Sequence, residues 1–495
     1  MNNKICLALA GLLSVSLLTA NEAPSAQAAQ YAQAPQSAQA PAPSDSKASD
    51  SKKAASSFFE GMEAKGFARM RFTTIDGPGD SGADQQHRFR IDLTSGKVDG
   101  WSLTTGLMFN YGSSTPTDVS NTNGAAQGSM AVVVGRAFND RFGISQLSVN
   151  KELKGEDTKA EFRAGRISMD PIFSDKNTDI GTGAIAKIQM DKTKLALNFY
   201  DSWITSHVIY NLRGENGVAL GSSEVSKGSM GNDLISLSLG GENLGGFSYN
   251  VSLAHINRLF NYMAFGEAKY EFGGFYVLGQ VSAADMADDA NFMTGKGDYT
   301  NTTWGFTLSP NDGQGVDKYS GFANQDWAKS RGLYNFQIGY KNKENPFSFK
   351  LGYLGSFGDG YGTLLDHIGG INIAGKFWRD SWDATNDGFG FMGAGGRTDS
   401  SIQVGYLALE YGLTKAWKIG LDYSLVGGDN SYPYIEAILS AADRTRAQSG
   451  KGITFHEIAP SVGYKVGRVS VTAYYGQNLG DVTYSKARAE MRYDF

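Results

Sequence analysis

Along residues 61–495 apolar and polar side chains alternate with a period of two. Trp101, Leu103, Thr105, Leu107, Phe109 and Tyr111 share one parity, and Ser102, Thr104, Gly106, Met108 and Asn110 share the other. The same division runs through 347–353 and 417–425, where the polar parity holds Lys350, Lys418, Asp422 and Ser424. Successive side chains of a strand point to opposite faces, so each such stretch predicts a strand with one apolar and one polar side. Alternation held over about ten residues suits a tilted strand crossing a bilayer. Strands of a soluble β-sandwich run nearer to about five or six residues.

The connections sharpen this. Short links at 154–158, 191–193, 242–246, 273–274, 342–346, 412–415 and 466–468 alternate with long polar ones near 112–143, 204–231, 285–330, 358–399 and 428–451. Strict alternation of short turns with long loops is the signature of a membrane β-barrel. Trp101, Phe247, Phe275, Phe347 and Trp417 each follow a short turn on the apolar parity, as an interfacial aromatic girdle requires. The expected fold is therefore all-β, a transmembrane antiparallel β-barrel of about eighteen strands, with sixteen as the other count. Residues 127–138 and 300–310 also read as strand-like.

Composition agrees with a wet interior. Glycine numbers 63 of 495 residues and aromatics make up 12%, while the net charge of −5 argues against nucleic-acid binding. No run of about 18 apolar residues offers a transmembrane helix. Residues 1–28 read as a secretory signal, with Lys4 before an apolar stretch and cleavage expected after residue 20 or 28. Cys6, the only cysteine, lies in that leader. Residues 29–57 are rich in Ala, Gln, Pro and Ser and have no apolar face to bury, which predicts a flexible periplasmic segment. The barrel is assigned to 58–495.

The last strand, 486–495, places Ala487, Ala489, Met491, Tyr493 and Phe495 on one parity. Lys486, Arg488, Glu490, Arg492 and Asp494 occupy the other, a density of charge that only water tolerates. Tyr493 and Phe495 also suit the C-terminal signal read by the barrel-assembly machinery. Barrel closure would set Arg488 and Arg492 beside Arg69, Arg71, Arg88 and Arg90 as one basic wall, since guanidinium groups stay charged at any relevant pH. The alternative is that these arginines pair with Glu63, Asp92 and Glu490 and brace the wall. The segment from Arg163 to Lys176 ends the expected fifth strand and leads into the third outer loop, which carries Asp170, Asp175 and Asp179. Folded inward, it would set acids against the basic wall and create a transverse field at a constriction. The other reading leaves it outside as a solvated surface.

Enzyme chemistry finds no footing. His87, His207, His255, His367 and His456 stand in no metal-spaced pair and with no G-x-S-x-G elbow. No cofactor is expected; Asp285, Asp288 and Asp289 could hold Ca2+ through oxygen ligands, but such a run is more often a solvated loop.

The Gly165-Arg166 pair followed by Asp170-Pro171, together with the Arg492-Tyr493-Asp494-Phe495 end, resembles a Gram-negative porin. It is most similar to the major outer membrane protein family of Campylobacter and its relatives. The resemblance implies a homotrimeric water-filled channel for ions and small hydrophilic solutes, with cations as the favoured ions, in contact with outer-membrane lipid and lipopolysaccharide. A substrate-specific channel, or an adhesin or structural protein acting through long loops, is the alternative.

Overall fold

A computed structural model of the chain describes residues 58–77, 81–114, 142–177, 179–204, 209–210, 233–257, 259–288, 328–366, 369–378, 389–391, 394–396, 398–429 and 452–495. The leader, the segment 29–57 and the stretches 127–138 and 300–310 lie outside the described residues.

Among the described residues nineteen strands form one antiparallel sheet. They are β1 (Glu63–Asp76), β2 (Ser81–Thr94), β3 (Trp101–Ser114), β4 (Phe142–Lys154), β5 (Thr158–Ser168), β6 (Ile180–Met190), β7 (Thr193–Ile204), β8 (Ile209–Tyr210), β9 (Leu234–Leu244) and β10 (Phe247–Ile256). The remainder are β11 (Phe260–Phe272), β12 (Phe275–Met286), β13 (Ser330–Lys341), β14 (Phe347–Gly358), β15 (Gln403–Gly412), β16 (Trp417–Gly428), β17 (Ile453–Val466), β18 (Val469–Gly480) and β19 (Ser485–Asp494). The two-residue β8 pairs only with the end of β7, and β7 pairs onward with β9, so eighteen strands make the ring. The ring closes where β1 meets β19, with Met70 opposite Met491 and Arg71 opposite Glu490. A closed ring leaves no strand edge unpaired, the condition for sheet in hydrocarbon.

The period-two pattern translates directly into faces. Trp101, Leu103, Leu107 and Phe109 are exposed on the outside, whereas Ser102, Thr104 and Met108 are buried within. Trp101, Phe247, Phe275, Phe347 and Trp417 all lie exposed at the short-turn end. There they meet further rings, such as Tyr340 at 4.9 Å from Phe275 and Tyr464 at 4.7 Å from Trp417. Short turns do follow every second strand, but the far end is not uniformly long-looped. Residues 77–80, 257–259 and 481–484 are short there too. Nothing forces a loop to be long once adjacent strands already lie side by side.

The interior is not a bare tube. Between β14 and β15, the described residues of 359–402 run back into the barrel and carry much of its apolar core. Tyr361, Leu364, Ile373, Phe377, Trp378, Phe389 and Phe391 are all buried, packed against inward residues such as Leu354, Val404 and Phe455. The described residues of the third outer loop, 169–177 and 179, also fold inward, with Met169 and Phe173 fully buried.

Candidate functional site: a basic wall facing two inward loops

The basic wall is built by register. In β1 the inward residues are Phe67, Arg69, Arg71 and Thr73; pairing sets Arg69 opposite Arg492 of β19 on one side and Arg88 of β2 on the other. Three guanidinium groups thus stand in one row across three neighbouring strands. Glu490 sits one row away and offsets their repulsion: its carboxylate lies 2.7 Å from Arg71 and 3.8 Å from Arg69. Arg69 also donates to Gln86. Arg488 stacks on Tyr474, and Lys486 lies 6.0 Å from the ring of Phe377. At the short-turn end Arg492 pairs with Asp494 and covers the Phe67 ring at 4.1 Å.

All six predicted arginines therefore share this patch, though their surroundings differ. Arg90 is engaged through all three nitrogens: it donates to Asp92 at 3.0 Å, to the Asn177 carbonyl at 2.9 Å and to the Ser168 hydroxyl at 2.7 Å. It ties the third loop to the wall rather than facing open lumen. Glu63, expected as an arginine partner, pairs with Lys65 instead, because it lies at the very start of β1.

The acids of the third loop take separate positions. Asp170 pairs with Lys187 at 2.7 Å, away from the arginines. Asp175 accepts from the backbone N–H of Asn177, and Asp179 from that of Asp175, so both hold the shape of the loop. Short acids bond readily to nearby backbone N–H groups, which the sequence pattern does not distinguish from lumen-facing acids. Asp175 still acts electrostatically on Arg88, and so does Asp366 of the segment 359–402.

That segment is the part of the site sequence reasoning missed. Its path is fixed by inward polar residues of six strands. Gln280 of β12 accepts from Asn372 N–H and donates to the Gly370 carbonyl, both at 2.8 Å. Asn335 of β13 donates to the Asn372 carbonyl, and Lys350 of β14 to that of Ile373. Tyr406 of β15 donates to Asn335. Asp422 of β16 accepts from Gly375 N–H at 2.9 Å and pairs with Lys376 at 3.2 Å. Glu457 of β17, fully buried, accepts the three successive N–H groups of Lys376, Phe377 and Trp378 at 2.6, 3.3 and 2.7 Å. Phe377 then lies against Gly476 of β18, where any side chain would collide with its ring. At the segment's base, buried Arg331 donates to the carbonyls of Ala328, Gly362 and Phe391. The segment also meets the third loop, whose Phe173 carbonyl accepts from Leu365 and whose Ile172 carbonyl accepts from Gly370. One signal was available: Ile371, Ile373, Phe377, Trp378, Phe389 and Phe391 are too apolar for a solvated loop.

The other singled-out residues lie apart. Tyr493 is exposed on the outer face, and the Phe495 ring packs 5.8 Å from Phe89. Asp285 accepts from Asn261 and Asp288 pairs with Lys329, while Asp289 lies outside the described residues. Among the described residues no three acids or histidines come together as a metal site. His456 bonds to Tyr423 on the outer face and His255 meets the Asn261 carbonyl. His207 and His367 lie outside the described residues.

No family model and no curated protein sequence matches the chain. Solved structures do. OccAB2 of Acinetobacter baumannii superposes with a TM-score of 0.53 at 11% identity, covering 89% of this chain and 99% of that one. OpdO of Pseudomonas aeruginosa gives 0.52 at 12% identity over 89% and 99%. OccD3 (OpdP) of Pseudomonas aeruginosa gives 0.51 at 11% over 88% and 92%. The chain thus shares the closed eighteen-stranded fold of Gram-negative outer-membrane porins.

Proposed function

We propose that this protein is an outer-membrane porin, a water-filled channel for passive diffusion of ions and small hydrophilic solutes. The observation that carries this reading is a charged wall inside a closed barrel, faced by two inward-folded loops. Charge of that density at the inner surface of β19, β1 and β2 requires water beside it. A ring of eighteen strands is wide enough to leave an aqueous passage. The loops meet the wall at Arg90, Arg88 and Lys486 and narrow the passage beside it, so a dipolar solute would cross a lateral field while apolar solutes would have to displace ordered water.

Placement beside the Campylobacter-type proteins rests on the Gly165-Arg166, Asp170-Pro171 and Arg492–Phe495 motifs. The same likeness supports a homotrimer, with Tyr493 and Phe495 as the assembly signal. The Asp285 and Asp288 side chains are satisfied by neutral or cationic neighbours, which favours a solvated rim over a Ca2+ site.

Liposomes carrying the folded full-length chain are expected to swell in small sugars and progressively less in larger oligosaccharides. Folded protein that admits no sugar of any size would overturn the channel reading.

A further inference from the structure

The outer face of β2–β5 carries a groove that the channel does not use. It has a volume of about 420 Å³, and an almost wholly apolar lining that includes Leu93, Leu103, Thr105, Leu147, Val149 and Ala164. Phe58 and Met62, from the turn before β1, close its lower end. Its depth comes from short side chains, Thr105 and Ala164, set among leucines on the outward parity.

The groove leads to a guanidinium. Leu93, Thr105, Leu147 and Arg166 are successive partners in one cross-strand row, so all four face outward. Ala164 lies two residues before Arg166 on the same face of β5. The local backbone explains how an arginine comes to be there. Gly165 adopts φ +126°, a conformation that other residues rarely hold, and a side chain there would strike the Leu147 carbonyl. Pairing of β5 with β4 ends at Arg166, after which Ile167 is buried inside with the third loop. The Ile144 carbonyl of β4, beyond the end of that pairing, accepts from Arg166 Nε at 2.7 Å.

That bond uses one of the five guanidinium donors. Among the described residues no carboxylate lies within ion-pair distance of Arg166, and its flanking neighbours are Leu147, 59% exposed, and Thr182. A charge on the membrane face is tolerated near an interface and strongly disfavoured at mid-depth. Arg166 stands third from the loop end of β5, in a row continued by the polar Thr182 and Ser202. It therefore sits at headgroup level on the loop side.

We propose that groove and arginine form one binding site for a phosphorylated glycolipid of the outer leaflet. An acyl chain lies over Ala164 and Thr105, and a lipid A phosphate is held by the Arg166 fork. Planar guanidinium matches phosphate in a bidentate contact, which gives charge complementarity where the apolar groove ends. The proposal rests on the outer-membrane reading for its choice of leaflet; the channel itself does not depend on it.

The test uses the folded full-length chain in detergent and native mass spectrometry with three probes: bisphosphorylated lipid A, its dephosphorylated form, and phosphatidylglycerol. Wild-type protein is expected to retain lipid A about tenfold more tightly than either other lipid. Arg166→Gln and Ala164→Phe should each lose most of that margin while sugar-driven liposome swelling stays at the wild-type level. Equal retention of phosphorylated and dephosphorylated lipid A by wild type would overturn the site, and this arm needs no variant to fold. Tight retention of phosphatidylglycerol would overturn the outer-leaflet assignment. Loss of a protein dimer or trimer in the variants, with lipid A retention unchanged, would overturn the site by assigning the face to a second copy. Swelling lost in wild type would count against the channel reading, not this one.

Discussion

Glu457→Ala is expected to release residues 374–378 from the channel wall and to raise single-channel conductance with frequent fluctuation. The Glu457 carboxylate is buried and accepts three consecutive backbone N–H groups from the inward segment. Its removal leaves those donors with no water to replace it, and breaking a buried charge-assisted contact of this kind costs about 3–5 kcal/mol. Part of that cost is avoided if the segment leaves the wall, which is why movement is the expected response. Trp378 would lose its cover with it, since its indole donates to Ser424 and to the Ala374 carbonyl from a fully buried position. Barrel strands should be unaffected, because their ladders are formed independently of the loop. Limited trypsin digestion provides the check, as Lys376 should become a cleavage site in the variant while the barrel stays intact. A variant with unchanged conductance and unchanged protection would show that Asp422, Gln280 and Asn335 suffice to hold the segment.

The second large effect concerns ion preference. Combining Arg69→Gln, Arg88→Gln and Arg488→Gln removes three positive charges from the wall but leaves Glu490 and its partner Arg71 in place. Within a narrow aqueous passage with low-dielectric walls, fixed charges of one sign set potentials of several kT. Cation permeability relative to anion permeability should therefore rise several-fold, read from the reversal potential across a salt gradient. The shift should shrink as salt is raised, because screening shortens to about 3 Å at 1 M. Arg90→Gln serves as the contrast. Its guanidinium is bonded to Asp92, Ser168 and Asn177, so the variant should loosen the third loop and change selectivity less.

Much of this architecture was legible because the two environments of a membrane barrel differ so sharply. The alternation at 101–109 appears in the structure as exposed and buried positions in turn. The charged face of 486–494 similarly forecast that Arg488 and Arg492 would close against β1. Both are local patterns, and local pattern suffices where lipid lies on one side and water on the other. The route of 359–402 was not legible for the opposite reason. Glu457 and Asp422 look like any other inward acid in a strand, and only the folded barrel brings the N–H groups of 375–378 to them. The link at 257–259 carries no glycine or proline to mark a turn. In the sequence Asp170 and Asp175 look like one acidic surface, but Lys187 on β6 claims the first and the loop's own backbone the second. The outward aim of Arg166 is likewise hidden in the sequence, because it depends on where β5 parts from β4.

Planar-bilayer recording of the purified, folded full-length chain tests the central claim most directly. A water-filled passage narrowed by the third loop and the segment 359–402 predicts discrete conductance steps that grow in Glu457→Ala and shift toward cations in the triple arginine variant. A bilayer that stays silent with folded protein inserted would contradict the account.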